Sequence, residues 1–258
     1  MFDLTHVKPE VREAIAARWS NLFTRKPEKL LGLDTNAKTI KGEKLGIKTA
    51  ILYLAPADMS GQNVCAMAYL AGCVGPCLFS AGKGGLPSVI ASRLRKTLYF
   101  QQYREQFLAQ LRDEIAALYA KSVREGWKLV VRLNGTSDIR WETMDVIQRF
   151  PMVQFYDYTK LANRRNVPAN YDLTFSYSGV AAFAPQVERA KAAGMRIATV
   201  FRNRKTVHAM LASGATFNGM ALVDGDDTDV RHLDPQGVVV ALYAKGAARK
   251  DASGFVVG

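Results

Sequence analysis

Apolar residues recur at two different spacings along this chain, and the spacing alternates several times. Short apolar runs typical of buried strands cover residues 47–55, 128–134, 152–156, 171–175, 196–201, 217–223 and 237–243. Between them, apolar residues recur every three or four positions, which predicts helices. The helical pattern covers 87–119, with room for two helices, and 183–193 and 204–213.

This alternation of strands and helices predicts an α/β fold with a parallel sheet. Six or seven strands joined by helical crossovers suit a partial or complete (βα) barrel of parallel strands. Pro9 begins an earlier helical pattern, so residues 1–33 are expected to form an N-terminal helical extension. With 258 residues, the chain is expected to form a single domain, with 34–258 as the barrel-like core.

Polar residues follow several of the predicted strands, where a parallel barrel would gather them at one mouth. The residues expected to bind a cofactor there are Asn134, Gly135, Ser137, Asp138, Ser176 and Arg202. An alternative function for Ser137 or Asp138 is to cap a following helix that carries Trp141.

Asp157 and Lys160 follow the third predicted strand. A carboxylate and an amine at a barrel mouth are candidates for an acid–base pair in catalysis. The plainer interpretation is an acidic residue at a helix start and a solvated lysine.

All three cysteines, Cys65, Cys73 and Cys77, lie in one glycine-rich stretch after the first predicted strand. Three thiolates in one loop favour a soft metal or an iron–sulfur cluster. Two alternatives are small buried side chains in a core and a disulfide. Gly75 and Pro76 interrupt a helix, which argues against the first, and the odd number of cysteines argues against the second.

The identity of the metal depends on the fourth ligand. Zinc usually takes four protein ligands, and the three histidines, His6, His208 and His232, are remote from the cysteines in sequence. A [4Fe–4S] cluster held by three cysteines needs no further protein ligand and leaves one iron open for chemistry. We therefore expect the three cysteines to bind a [4Fe–4S] cluster, with zinc as the alternative.

The formal net charge is +12, with an isoelectric point near 9.7. Such a charge makes nucleic acid a possible partner, so the alternative function is a basic nucleic-acid-associated protein with a structural metal and no catalysis. A solvated basic surface explains the charge equally well. The chain has no apolar run of eighteen residues and no signal-peptide pattern, so we expect a cytoplasmic protein without membrane contact.

Several motifs together resemble the phage gene product eighty-eight family. The resemblance begins near residue 35 and places the protein in a bacterial host or a phage-infected cell, but it implies no activity. The motifs are Thr35-Asn-Ala-Lys-Thr, Ile51-Leu-Tyr-Leu-Ala-Pro, the cysteine loop through Ser80-Ala-Gly82, Arg132-Leu-Asn-Gly-Thr-Ser-Asp138, Phe155-Tyr-Asp-Tyr-Thr-Lys160 and Asp224-Gly-Asp226.

A second, architectural likeness is to radical S-adenosylmethionine enzymes, which also place a cysteine loop after the first barrel strand and an acid-bearing turn after the second. Here these are the three-cysteine loop and residues 134–138. The cysteine spacing departs from that family's pattern, and Pro76 stands where an aromatic residue is usual. The likeness implies S-adenosylmethionine bound at the open iron and radical chemistry on an unknown substrate.

Overall fold

A nine-stranded mixed sheet organises the protein, whose computed structural model describes residues 2–33 and 41–258. The strands, in chain order, are Leu31–Leu33 (β1), Ile47–Leu52 (β2), Lys128–Arg132 (β3), Gln154–Thr159 (β4), Tyr171–Ser176 (β5), Ile197–Phe201 (β6), Thr216–Phe217 (β7), Met220–Asp224 (β8) and Val239–Tyr243 (β9). The α-helices are Pro9–Trp19 (α1), Pro87–Gln102 (α2), Arg104–Glu125 (α3), Ala184–Ala192 (α4) and Arg204–Ser213 (α5).

The strand order is β1-β2-β3-β4-β5-β6-β9-β8-β7. The seven strands from β2 to β8 in this order pair in parallel, and the two outermost strands, β1 and β7, pair antiparallel. The predicted barrel of six or seven parallel strands is therefore wrong, although the fold is α/β. β1 and β7 occupy the two ends of the sheet, so the described strands form an open mixed sheet.

The second departure from prediction is the strand expected over residues 217–223. The structure divides it into β7 and β8, joined by a tight hairpin at Asn218 and Gly219. Both turn residues have positive φ, 51° and 77°, the backbone geometry that a two-residue turn between antiparallel strands requires and that Asn-Gly tolerates. This turn reverses the chain and makes β7 antiparallel to β8.

The two faces of the sheet are covered differently. Val131 and Phe155 belong to the largest core cluster, together with Ile115 of α3. Because side chains alternate along a strand, the neighbouring Val130 points to the other face. There it packs with Val230, in the segment that follows β8.

The helix predicted to carry Trp141 is absent, and the structure has only a 3₁₀ turn at Trp141–Thr143 in its place. Neither Ser137 nor Asp138 caps this turn. Trp141 is fully buried, with its ring centroid 5.5 Å from that of Phe100. The other predicted helices are confirmed, including the two between residues 87 and 119.

Two further expectations from the sequence depend on which residues the structure describes. The motif at residues 35–39 lies outside the described residues. Within the described ranges, no helix has both the length and the apolar character needed to cross a membrane.

Candidate functional site

The cysteine loop follows β2 and is tied to the loops that follow neighbouring parallel strands. The amide of Asp138, which follows β3, donates a 2.8 Å hydrogen bond to the carbonyl of Val64. Asp138 and Cys65 thereby form a β-bridge. Ser178, after β5, donates to the carbonyl of Ala71 at 2.8 Å. These contacts hold the loop at the carboxyl ends of the parallel strands.

The three cysteine thiols are partly buried and interact electrostatically with one another. Burial raises the pKa of Cys65 to about 12, and proximity to Cys77 and Cys73 adds to the rise. Burial also raises the pKa of Cys73 and of Cys77. The loop therefore gathers three protonated thiols into one poorly solvated group, where a bound cation would displace their protons.

Lys160 directly follows β4 and places a cation beside the thiols. Its Nζ donates to Ser176 Oγ at 3.0 Å and lies 4.6 Å from the ring centroid of Phe255. Burial lowers the pKa of Lys160, whereas nearby Cys73 and Asp138 act to raise it. This ammonium is positioned to compensate negative charge that develops on the thiols.

Asp138 provides the opposite charge. Its Oδ2 accepts a 2.8 Å hydrogen bond from the Lys160 amide, and its Oδ1 lies 3.6 Å from Nη1 of Arg164. Within the described part of the chain, Oδ1 has no hydrogen-bond partner. Burial raises the pKa of Asp138 despite the nearby cations.

Sequence analysis missed Arg164 and its partner Glu142. Arg164 Nε donates to Glu142 Oε1 at 2.7 Å, and Nη2 forms a second contact with the same carboxylate. The side chains are only 3% and 1% exposed, respectively. No motif distinguishes this pair, because a 22-residue separation in sequence gives no indication of pairing.

The predicted cofactor-binding turn at residues 134–138 is held mainly by its own contacts. Asn134 Oδ1 accepts from Ser137 Oγ, from the Ile139 amide and from Trp141 Nε1 at 2.8–3.1 Å. The amide of Gly135 donates to the Leu52 carbonyl at 3.0 Å, which fixes the turn against β2. Asn134, Gly135 and Ser137 thus shape the turn.

Asp157 lies within β4 and is fully buried. Its carboxylate accepts from the amides of Leu133 and Asn134 at 3.2 and 2.9 Å, and from the Tyr171 hydroxyl at 2.9 Å. The structure therefore gives Asp157 and Lys160 different partners, and a catalytic role for either stays a prediction.

Arg202 follows β6 at the same edge of the sheet, where its guanidinium contacts the C-terminal segment. Its Nη1 and Nη2 donate to the carbonyls of Arg249 and Asp251 at 2.9 and 2.6 Å. It lines a separate basic cavity at the ends of β6 and β9. Ser176, in contrast, reaches the thiol group through Lys160.

The three thiols are a soft donor set of the kind that binds an iron–sulfur cluster or zinc. No group of three or more His, Cys, Asp or Glu side chains in residues 2–33 and 41–258 has the arrangement of a metal site. His208 accepts from Arg204, and the ring of His232 lies 5.8 Å from that of Tyr156, so neither joins the thiols. A cluster binds each thiolate through a different iron, so its ligands need not converge on one point.

These features define an α/β protein with three thiols, a lysine and an aspartate gathered at the carboxyl edge of parallel strands. A family model described as Gene product 88 matches residues 13–258, and the chain belongs to this phage gene product family. Neither the curated proteins nor the solved structures compared with the chain include a match. The likeness to radical S-adenosylmethionine enzymes is therefore without support from these comparisons.

Proposed function

We propose that Cys65, Cys73 and Cys77 hold a [4Fe–4S] cluster and that the protein is an enzyme that uses it. The observation that carries this proposal is that all three cysteines lie on one loop, which pairs with Asp138 at Cys65 and lies beside Lys160. Three soft ligands are the number that leaves one iron of such a cluster open. When bound and reduced, an open cluster supplies an electron for cleaving S-adenosylmethionine, the cofactor that we propose for this site.

Lys160 would offset the negative charge of the thiolates. Its ammonium is fixed by Ser176 and covered by the ring of Phe255, so it keeps its position without bulk water. A fixed charge in a poorly solvated site has a stronger electrostatic effect than a mobile one in water.

Asp138 is the residue of the 134–138 turn best placed to bind the polar end of the cofactor. Among the residues that the structure describes, its Oδ1 has no hydrogen-bond partner, and the nearest cation is Arg164 Nη1 at 3.6 Å, an ion pair that a ligand ammonium would share. A carboxylate oxygen in this setting suits an ammonium group such as that of S-adenosylmethionine. Asn134 and Gly135 would act indirectly, since their contacts hold the turn against Asp157 and β2.

The test is anaerobic purification followed by iron, sulfide and zinc analysis and a visible absorption spectrum. Iron–sulfur clusters absorb broadly in the visible range, whereas zinc–thiolate sites are colourless. Bound iron and sulfide should be lost in Cys73→Ala and kept in Tyr69→Phe, a control in the same loop that removes an exposed contact with Asp58. A colourless protein with stoichiometric zinc would contradict the cluster.

The cofactor role of Asp138 has its own measurement. Asp138→Asn should weaken S-adenosylmethionine binding while the iron content stays unchanged. Unchanged binding with the cluster present would show that Asp138 has a structural role only.

A further inference from the structure

A basic cavity lies at the carboxyl ends of β6 and β9, apart from the thiol group. Its volume is about 430 Å³, within the range of small-molecule sites. Four of the seven residues that line it are cationic, and one is acidic. The lining residues are Arg202, Arg204, Asp226, Tyr243, Ala244, Lys245 and Arg249.

Two of its guanidinium groups are held in place by the fold. Arg202 donates to two backbone carbonyls, which leaves three of its five N–H donors for a ligand. Arg204 lies over the ring of Tyr243, with its guanidinium carbon 5.0 Å from the ring centroid. Preorganised guanidinium groups bind an anion at a lower entropic cost than freely rotating ones.

The other charges leave the cavity strongly positive. Lys245 Nζ lies 3.4 Å from Oδ1 of Asp226, so this acid is already engaged by one cation. Arg249 is exposed at the rim of the cavity. Asp224 accepts from the Tyr243 hydroxyl and Asp251 lies near Arg202, so these carboxylates offset part of the charge, but neither lines the cavity, whose lining keeps a net positive charge.

The start of α5 also lies here, but its amides contribute little to recognition. Asn203 Oδ1 accepts from the amides of Lys205 and Thr206 at 2.9 and 3.4 Å, so the helix end is already capped. Recognition must come from the guanidinium and ammonium side chains. These groups form charge-assisted hydrogen bonds with phosphate oxygens, and arginine can do so in pairs.

We propose that this cavity binds the di- or triphosphate group of a small molecule such as a nucleotide. A polyphosphate has several negative charges and enough oxygens for three guanidinium groups, whereas a single carboxylate would use only one. The cationic residues that line the cavity are gathered at one point of the sheet edge, which favours a small molecule over the long phosphate track of a nucleic acid.

The site is separate from the proposed cluster and does not require it. The 3₁₀ turn at Gly246–Lys250 carries Arg249 on the cavity side, and its Gly246 approaches Ala81 of the segment that follows Cys77. The segments that carry the two sites therefore contact each other, although the binding of a phosphorylated ligand depends on other residues than the thiols.

The test is calorimetric titration of the purified protein with inorganic tripolyphosphate and with ATP. We expect saturable binding that weakens about tenfold or more in Arg204→Gln and in Arg249→Gln, because each loses a charge-assisted contact. Arg124→Gln removes the same charge from an exposed position in the last turn of α3, and it should bind like the wild type.

Three results would overturn the proposal: no saturable binding, equal weakening in Arg124→Gln, or saturable binding only to a single-stranded DNA oligonucleotide. Thermal unfolding of each variant shows whether it is folded, and neither substituted side chain is buried. Repeating the titration with Cys73→Ala separates the two proposals. Tripolyphosphate should still bind this variant even where the metal is lost.

Discussion

Asp157 tests how the fold balances burial against hydrogen bonding. This carboxylate is fully buried in β4 and accepts three hydrogen bonds. Burial raises its pKa to about 6, although nearby Arg132 and the hydrogen bonds act to lower it. The perturbation that isolates this effect is Asp157→Asn, which keeps the shape of the side chain and removes its titration.

The magnitude follows from the difference between the folded and the unfolded pKa. An aspartate in an unfolded chain has a pKa near ~3.9, so folding raises this pKa by about two units, equivalent to about 3 kcal/mol. The folded state binds the proton more tightly. Asp157 therefore contributes stability that is fully present below about pH 4 and is lost as the pH rises through about 6.

The assay is urea denaturation of wild type and Asp157→Asn at several pH values between 4 and 7. The free energy of unfolding of the wild type, relative to the variant, should fall by about 2 kcal/mol across this range, since part of the effect is already lost at pH 4. Tyr171→Phe removes one hydrogen bond that lowers the pKa, so it should move the fall to higher pH. A difference that rises with pH would refute the reasoning, because the hydrogen bonds would then outweigh burial.

Two further substitutions test the walls of the candidate site by urea denaturation. Gly135→Ala should destabilise by about 2–4 kcal/mol, because a Cβ there would lie 2.7 Å from the Leu52 carbonyl oxygen and strain the adjacent hydrogen bond. Gly75→Ala, which has open space, is the control, and equal losses would contradict the account. Arg164→Met should cost about 3 kcal/mol or more by leaving the buried Glu142 carboxylate without its main partner. Arg149→Met breaks only an exposed ion pair, so a similar loss there would contradict the expectation.

Much of the secondary structure was predictable because local patterns determine it. The stripe of Phe107, Leu111 and Ile115 predicted a helix, and all three residues are buried on α3. The strands β3, β4, β5, β6 and β9 lie within or overlap the predicted runs. In these segments the apolar residues that the periodicity places on one face are the residues that the fold buries. The sequence alone was therefore sufficient to predict these elements.

The arrangement of the sheet was less predictable. β1 is only three residues long, and its antiparallel pairing with β2 depends on contacts that no local pattern encodes. The division of β7 from β8 did have a signal, the Asn218-Gly219 pair, within a run that otherwise reads as one strand. Both errors concern the two ends of the sheet. At each end, one short antiparallel strand leaves the parallel strands in an open sheet instead of a closed barrel.

The residues of the candidate site also differ in how well the sequence predicts them. The sequence placed the cysteine loop, Asp138, Lys160 and Ser176 at strand ends on one edge of the sheet, and in the structure they lie near one another. Their roles in binding a cofactor or in catalysis stay predictions. The Arg164–Glu142 pair was not predicted, since burial of a charged pair depends on tertiary packing. Asn134 was expected to bind a cofactor, but its side chain holds the turn through contacts that its position alone does not indicate.

The order of the strands explains why one edge of the sheet carries two separate sites. From β2 to β6 the strands lie in chain order, so the loops at their carboxyl ends also follow one another along the edge. The cysteine loop reaches the residues after β3, β4 and β5, whereas Arg202 after β6 lies in the basic cavity with residues after β9. The C-terminal segment contacts both: Phe255 covers Lys160, and the carbonyls of Arg249 and Asp251 fix Arg202. One short stretch of chain, residues 249–255, therefore supplies contacts to both sites, which is why the two lie along the same edge of the sheet.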